Sequence, residues 1–212
     1  MGQRNAIEAV AGIAAGQWGM FTTAQAAGVG VSRAEVARLV SRGVARRLRH
    51  GVHIMEGAPS GALEIVRAEW LATDPARTAG ERRGDADPVV ISYETAAQVY
   101  EIGDLPSSGV HLTSPRRLRT RQQWVTIHQQ ALSPKEYQWI EGLPVTTPRR
   151  TLEYIARSGR LEADHLRTLA WDALNQGLIP ASELEPSAAL VKSVPELAPL
   201  ARHAAELLHP NN

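Results

Sequence analysis

"SRAEVARLVSRGVARRLRHGVHIM", residues Ser32 to Met55, sets six arginines (Arg33, Arg38, Arg42, Arg46, Arg47 and Arg49) against a single acid, Glu35. Ser32 followed three residues later by Glu35 is a capping-box pattern and predicts a helix start. Gly43, just past Arg42, supplies the stop. At helical spacing Val36, Leu39 and Val40 gather on one side and must face a core. Beyond Gly43, the residues Val44, Leu48, Val52 and Ile54 are set among polar ones, with His50-Gly51 as a turn, which predicts a two-stranded hairpin.

Upstream, Ile7, Val10, Ile13 and Ala14 keep helical spacing and Gly16 ends that helix. Phe21-Thr22-Thr23 then opens a short helix, Thr23 to Ala27, and Gly28-Val29-Gly30 is a tight connector. Three helices followed by a hairpin predict a winged helix-turn-helix over residues 1–57.

The side of the third helix opposite its apolar face carries Ala34, Arg38 and Ser41, flanked by Ala37 and Arg42. Small residues beside one long arginine let a helix seat deeply in a major groove. There a guanidinium forks onto guanine O6 and N7, the commonest base-specific contact. In this motif the preceding helix crosses the backbone, which puts Thr22, Thr23 and Gln25 near phosphates. Arg46, Arg47, Arg49 and His50 fall on the wing, placed for phosphates or a minor groove. Ser32 and Arg33 open the helix, Arg33 at the edge of its apolar face. The plainer alternative is that these arginines are solubilising surface. His53, between Val52 and Ile54, reads as a packed or solvated strand residue.

The 212 residues carry a net charge of only +1, yet residues 1–57 hold seven Arg against three Glu, a balance of +4. Such asymmetry points to a polyanion at one end of the chain. Absence of cysteine removes disulfides and thiolate chemistry and fits a reducing compartment. No apolar run approaches the roughly 20 residues of a membrane span, and the first residues lack the apolar core of a signal peptide. A cytoplasmic location without membrane partners is the expectation.

Residues 56–62, EGAPSGA, read as a joint. Leu63 to Thr73 reads as a helix with Leu63, Val66, Trp70 and Leu71 on one side, and 74–88 as a polar, mobile loop. Residues 58–88 are thus expected as a linker, and 89–212 as a second domain. In it PVVIS is a strand, Ser92 caps a helix to Tyr100, and Val110–Thr113 and Trp124–Gln129 are strands. YQWIEGLPVTT is a strand pair or turn, and Pro148 opens a helix at its first position. From Glu162 the tail reads as helical, with breaks at Pro180, Pro186, Pro195 and Pro199. The fold class expected is α+β: a winged helix-turn-helix, then a mixed α/β domain ending in helices.

SPRRLRTRQQW places Arg116, Arg117, Arg119 and Arg121 within six residues, with no acid between Asp104 and Glu136. At a hairpin tip this is either a solvated loop or a second phosphate-binding patch, whose contacts add to salt dependence. Arg149 and Arg150 sit in a first helical turn, where the dipole disfavours cations.

No catalytic, metal or cofactor pattern emerges. The histidines (50, 53, 111, 128, 165, 203 and 209) form no HxxxH or HExxH. His111 and His128 lie on neighbouring strands, close enough to be adjacent, without further ligands that would make a zinc site. Neither GxxxxGK[ST] nor GxGxxG occurs. Asp85 and Asp87 precede PVVIS, but no acid–lysine nuclease core follows, and Lys135 and Lys192 are the only lysines. Trp70, Trp124, Trp139 and Trp171 read as core anchors.

Two stretches resemble the AbiEi antitoxins and transcriptional regulators of type IV (AbiE) toxin–antitoxin, or abortive-infection, systems, in particular their actinobacterial type. The first is FTTAQAAGVGVSRAEVARLVSRGVARRLRHGVHIM, similar to that family's winged helix. The second is ISYETAAQVYEIGD…VHLTSP…VTIHQQALSPKEYQWIEGLPVTTPRRTLEYIA, similar to its C-terminal pattern. Together they cover roughly residues 15–160, with LRTLAWDALNQGLI a looser match. The resemblance implies a two-domain repressor of its own operon that grips double-stranded inverted repeats in the promoter. It implies an antitoxin role for the C-terminal domain and a nucleotidyltransferase-like toxin as functional partner. Carried over, DNA contact falls on Ser32, Arg38, Arg42, Arg46, Arg47 and Arg49, with Arg116 to Arg121 as the C-terminal patch. The rival classes are a winged-helix-tethered nuclease, a stand-alone regulator without a toxin, and a protein-interaction adaptor.

Overall fold

The computed structural model describes residues 3–105 and 109–180. They form two compact units: the described residues up to Val89 with Glu141–Leu143, and Val90–Ile140 with the described residues from Pro144 onward. Both mix helices with a small sheet, so the fold class is α+β.

The first unit begins with α1 (Gln3–Ala15), β1 (Met20–Thr22), α2 (Thr23–Gly28) and α3 (Arg33–Ser41). The wing follows as β2 (Ala45–Arg49) and β3 (Val52–Met55), and α4 spans Glu64–Leu71. The three strands lie in the order β1-β3-β2, both pairs antiparallel. This is the expected winged helix-turn-helix with one strand added. Met20–Thr22 is too short for a period-two pattern to stand out, and all three of its residues are buried. Val10 and Ala14 of α1, Phe21, Ala26, Val31, Val36, Leu39 and Ala45 close one apolar core. Burying them is the main driving force of this unit.

Residues 74–88, expected as a mobile loop in a linker, are instead tied into the first unit. Arg82 is 2% exposed and its guanidinium lies over the Trp70 ring, 3.5 Å from the centroid. It donates to the Trp70 carbonyl (2.9 Å) and the Thr73 hydroxyl (2.8 Å). Arg77 forks onto Asp85 at 2.7 and 3.2 Å. A buried guanidinium is stable only when its donors are taken up this way, and polarity alone gave no sign of the partners.

The second unit holds β4 (Val90–Ile91), α5 (Tyr93–Val99), β5 (Val110–Ser114), β6 (Val125–Gln129), β7 (Tyr137–Ile140), β8 (Leu143–Thr146), α6 (Pro148–Ser158) and α7 (Ala163–Asn175). Its sheet runs β6-β5-β4-β8-β7. Glu141 and Gly142 turn β7 into β8, both with positive φ (47° and 82°), the geometry that matches strand twist in a two-residue hairpin. α5 packs on α6 and β5, and α6 on α7. Thr147 caps α6 through its hydroxyl, with Pro148 at the first position as the sequence predicts.

Three expectations change here. Ser92 occupies the cap position of α5 without a capping bond, because its hydroxyl accepts from Thr113 at 2.8 Å. β5 and β6 pair in parallel, Val110 with Val125 through Ser114 with Gln129, so residues 115–124 form a crossover and not a hairpin tip. Trp70 is fully buried, but Trp124 and Trp171 are 50% and 48% exposed and are not core anchors. The expected breaks at Pro186, Pro195 and Pro199, and His203 and His209, lie outside the described residues. Among those described, no helix is long and apolar enough to cross a membrane.

Candidate nucleic-acid interface

α3 is held at its start by a complete capping box. The Ser32 hydroxyl accepts from the Glu35 amide (3.3 Å), and the Glu35 carboxylate accepts from the Ser32 amide (2.8 Å). The Ser32 hydroxyl also donates to the Glu35 carboxylate (2.7 Å), and this bond, then that from the Ser32 amide, holds the Glu35 carboxyl below the usual range. Val36 and Leu39 point into the core, while Ser32, Arg33, Ala34, Ala37, Arg38, Ser41 and Arg42 are exposed. The outward face is therefore the one drawn from helical spacing. It offers a projecting Arg38 amid alanine and serine, on a helix whose pitch and start are fixed. Ser41 turns its hydroxyl back onto the Arg38 carbonyl (3.1 Å).

On the wing the arginines part company. Arg47 and His50 are exposed at the tip, the guanidinium 3.2 Å from His50 Nδ1. Arg46 is exposed but forks onto Glu64 of α4 at 2.9 and 3.3 Å. Arg49 is drawn inward and forms an ion pair with Glu69, which is only 2% exposed. Arg49 is thus committed to α4, a correction to its expected role on the wing surface. A buried carboxylate such as Glu69 calls for a partner of this kind, because its burial is tolerable only when it is paired. β2 carries a register shift between Arg47 and Arg49, and the two side chains, neighbours but one in sequence, end in different surroundings.

Two further expected phosphate contacts, Thr22 and Gln25, are also corrected. Thr22 is 0% and Gln25 4% exposed. The Thr22 hydroxyl accepts from the Gln25 amide (3.0 Å) and donates to the Pro75 carbonyl. Gln25 Oε1 accepts from the Thr22 amide (2.9 Å), while its Nε2 donates to the Arg77 carbonyl (2.8 Å). Gln17 joins them, donating to Gln25 Oε1 (2.7 Å) and accepting from the Ala79 amide (3.0 Å). The pattern Thr22-Gln25 was a capping box, complete in the structure; it was legible from the spacing. Thr23 is half-buried, 3.2 Å from His53 Nε2. His53 is buried and stacks on Phe21, with ring centroids 5.3 Å apart. Burial, then Arg47 and His50, push its pKa down, so it is a neutral packed residue.

In the second unit Arg116, Arg117, Arg119 and Arg121 are all exposed. Arg149 and Arg150 answer the dipole objection by pairing with Glu153 one turn on, at 3.1 Å each. His111 and His128 do meet, Nδ1 to Nε2 at 3.0 Å. Behind them Glu94, 6% exposed, turns Oε2 to within 3.5 Å of His111 Nε2. Tyr93 stacks on His128 at 3.9 Å and on Tyr154 at 4.7 Å between centroids. Burial, then His111 and Arg160, bring the His128 pKa down to about 4. Among the described residues, no group of three or more acids or histidines is placed to hold a metal.

Residues 8–52 match the family described as transcriptional regulator, AbiEi antitoxin. No curated protein matches the chain. Among solved structures, that of the RV2827C protein from Mycobacterium tuberculosis aligns over 92% of this chain and 79% of that one, at 18% identity and a TM-score of 0.49.

Proposed function

We propose that the first unit, whose residues 8–52 match the family described as transcriptional regulator, AbiEi antitoxin, binds double-stranded DNA sequence-specifically and represses the promoter of its own operon. The observation that carries this reading is the exposed face of α3, with Arg38 projecting among Ala34, Ala37 and Ser41 on a doubly capped helix. That face fits a major groove, with Arg38 on a guanine edge. Arg33, Arg42, Arg47 and His50 flank it for phosphates, and Ser32 and Thr23 lie beside them. Arg46 joins only by leaving Glu64. Phosphates position the protein, and Arg38 supplies the sequence preference.

The antitoxin role rests on the family match alone. It is tested by co-expressing the chain with a nucleotidyltransferase-like toxin encoded beside it and measuring growth; continued toxicity excludes it for that pair.

DNA binding is tested by anisotropy on the native promoter against a scrambled duplex. Arg38→Ala is expected to lower promoter affinity by about 1–3 kcal/mol and to narrow the gap between the two duplexes. Arg47→Ala is expected to weaken both alike and to flatten the salt slope by about one unit. Identical behaviour of the two variants would remove Arg38 from base recognition.

A further inference from the structure

The crossover from Ser114 to Trp124 joins two adjacent parallel strands without a helix. It must therefore run back the length of β5, whose residues rise about 3.3 Å each, to reach the start of β6. Its ends are fixed. The Ser114 hydroxyl donates to the Arg116 carbonyl at 2.8 Å. At the far end the Val110 amide donates to the Trp124 carbonyl at 2.7 Å. Gly109, at φ +97°, lets the strands close there, since a Cβ on it would lie 2.2 Å from that carbonyl oxygen.

Three observations converge on this strip. Arg116, Arg117, Arg119 and Arg121 are exposed, and none is ion-paired among the described residues. The indole of Trp124 is 50% exposed although its backbone is clamped. β6 is an edge strand of the sheet, and among the described residues no further strand pairs with its outer side. A run of exposed cations followed by an exposed indole on a fixed backbone matches a backbone of phosphates carrying unpaired bases. A duplex satisfies the arginines but keeps its bases stacked on one another. An acidic peptide likewise leaves the indole without a partner.

We propose that the Ser114–Trp124 crossover binds single-stranded nucleic acid, its arginines on phosphates and Trp124 stacked on an unpaired base. This site is separate from the winged helix and does not rest on the duplex reading.

The test uses the full chain and labelled dT and U oligomers of about a dozen nucleotides, within the roughly 4–16 bound by comparable single-strand sites. Both are titrated by anisotropy at low salt. Binding of either supports the proposal, and the preference assigns DNA or RNA. Trp124→Ala is expected to weaken that binding roughly tenfold, and Trp124→Phe to retain most of it. Replacing all four arginines with alanine should abolish binding, and Arg38→Ala should leave it unchanged. Melting temperature and circular dichroism check that the variants fold. The proposal is overturned if neither oligomer binds or if Trp124→Ala binds as the native chain does. It is also overturned if polyglutamate competes as well as dT. Loss of single-strand binding in Arg38→Ala alone would move the site to α3 and overturn it as well.

Discussion

Arg38 and Arg49 differ little as letters in a basic run, yet the structure gives them opposite work. Arg38 has a helix position whose neighbours are small and exposed, so its guanidinium projects outward. Arg49 meets Glu69, a carboxylate at 2% exposure, and its charge is used inside the unit. Replacing Arg49 therefore acts on stability before it acts on binding. Arg49→Ala is expected to lower unfolding free energy by about 1.5–3 kcal/mol, the range for a hydrogen bond to a charged group. Arg46→Ala, which removes an ion pair with a half-exposed arginine, should cost under about 1 kcal/mol. Urea denaturation of the two variants side by side checks the contrast; equal costs would mean that Glu69 does not depend on Arg49. Thr22 and Gln25 teach the same lesson. Their spacing was a capping box, and a box that also takes up Pro75 and Arg77 leaves no atoms for a phosphate.

At the scale of elements, α1, α2, α3 and the wing were legible because each carries a local signal: helical apolar spacing, a cap, a stop glycine, a hairpin turn. Strand β1 is three residues long and carries no period, whereas β4, only two residues long, is legible from the apolar run PVVIS. The parallel pairing of β5 with β6 was missed for a different reason. Alternation reports which face a residue takes, and it says nothing about strand direction. Along that pair His111 and His128 are brought into contact and His128 is held neutral. An imidazole that titrates at 6.5 when unfolded and about 4 when folded takes up its proton more readily in the unfolded chain. Its contribution to stability is complete above pH 6.5 and is lost as pH falls toward 4. Urea midpoints measured at pH 7 and pH 5 should fall further in the native chain than in His128→Gln; parallel shifts would show that His128 is not responsible.

For the whole molecule, a net charge of +1 gives no hint of a polyanion partner, because the surplus is local. The measurable consequence is salt dependence. If Arg33, Arg42 and Arg47 each neutralise one phosphate, log affinity for promoter duplex falls with log salt at a slope near −0.9 per contact. Going from 50 to 200 mM salt should then weaken binding by about fortyfold. A protein interaction made through the same face would show a much shallower slope, and a flat titration would remove DNA as the ligand.

What the sequence determined by itself was everything set within a few residues: the caps of α2, α3 and α6, the apolar face of α3 and its small, arginine-centred opposite face, and the hairpin of the wing. These follow from backbone periodicity and short-range hydrogen bonding, which are encoded at spacings of two to four. What only the tertiary structure decided was which charges remain available. Glu69 removes Arg49, Glu64 engages Arg46, Trp70 and Thr73 enclose Arg82, and a parallel crossover carries four arginines and an exposed indole along one strip. Partners of that kind lie tens of residues apart in the chain, and a charge is free or spent according to what packing brings beside it.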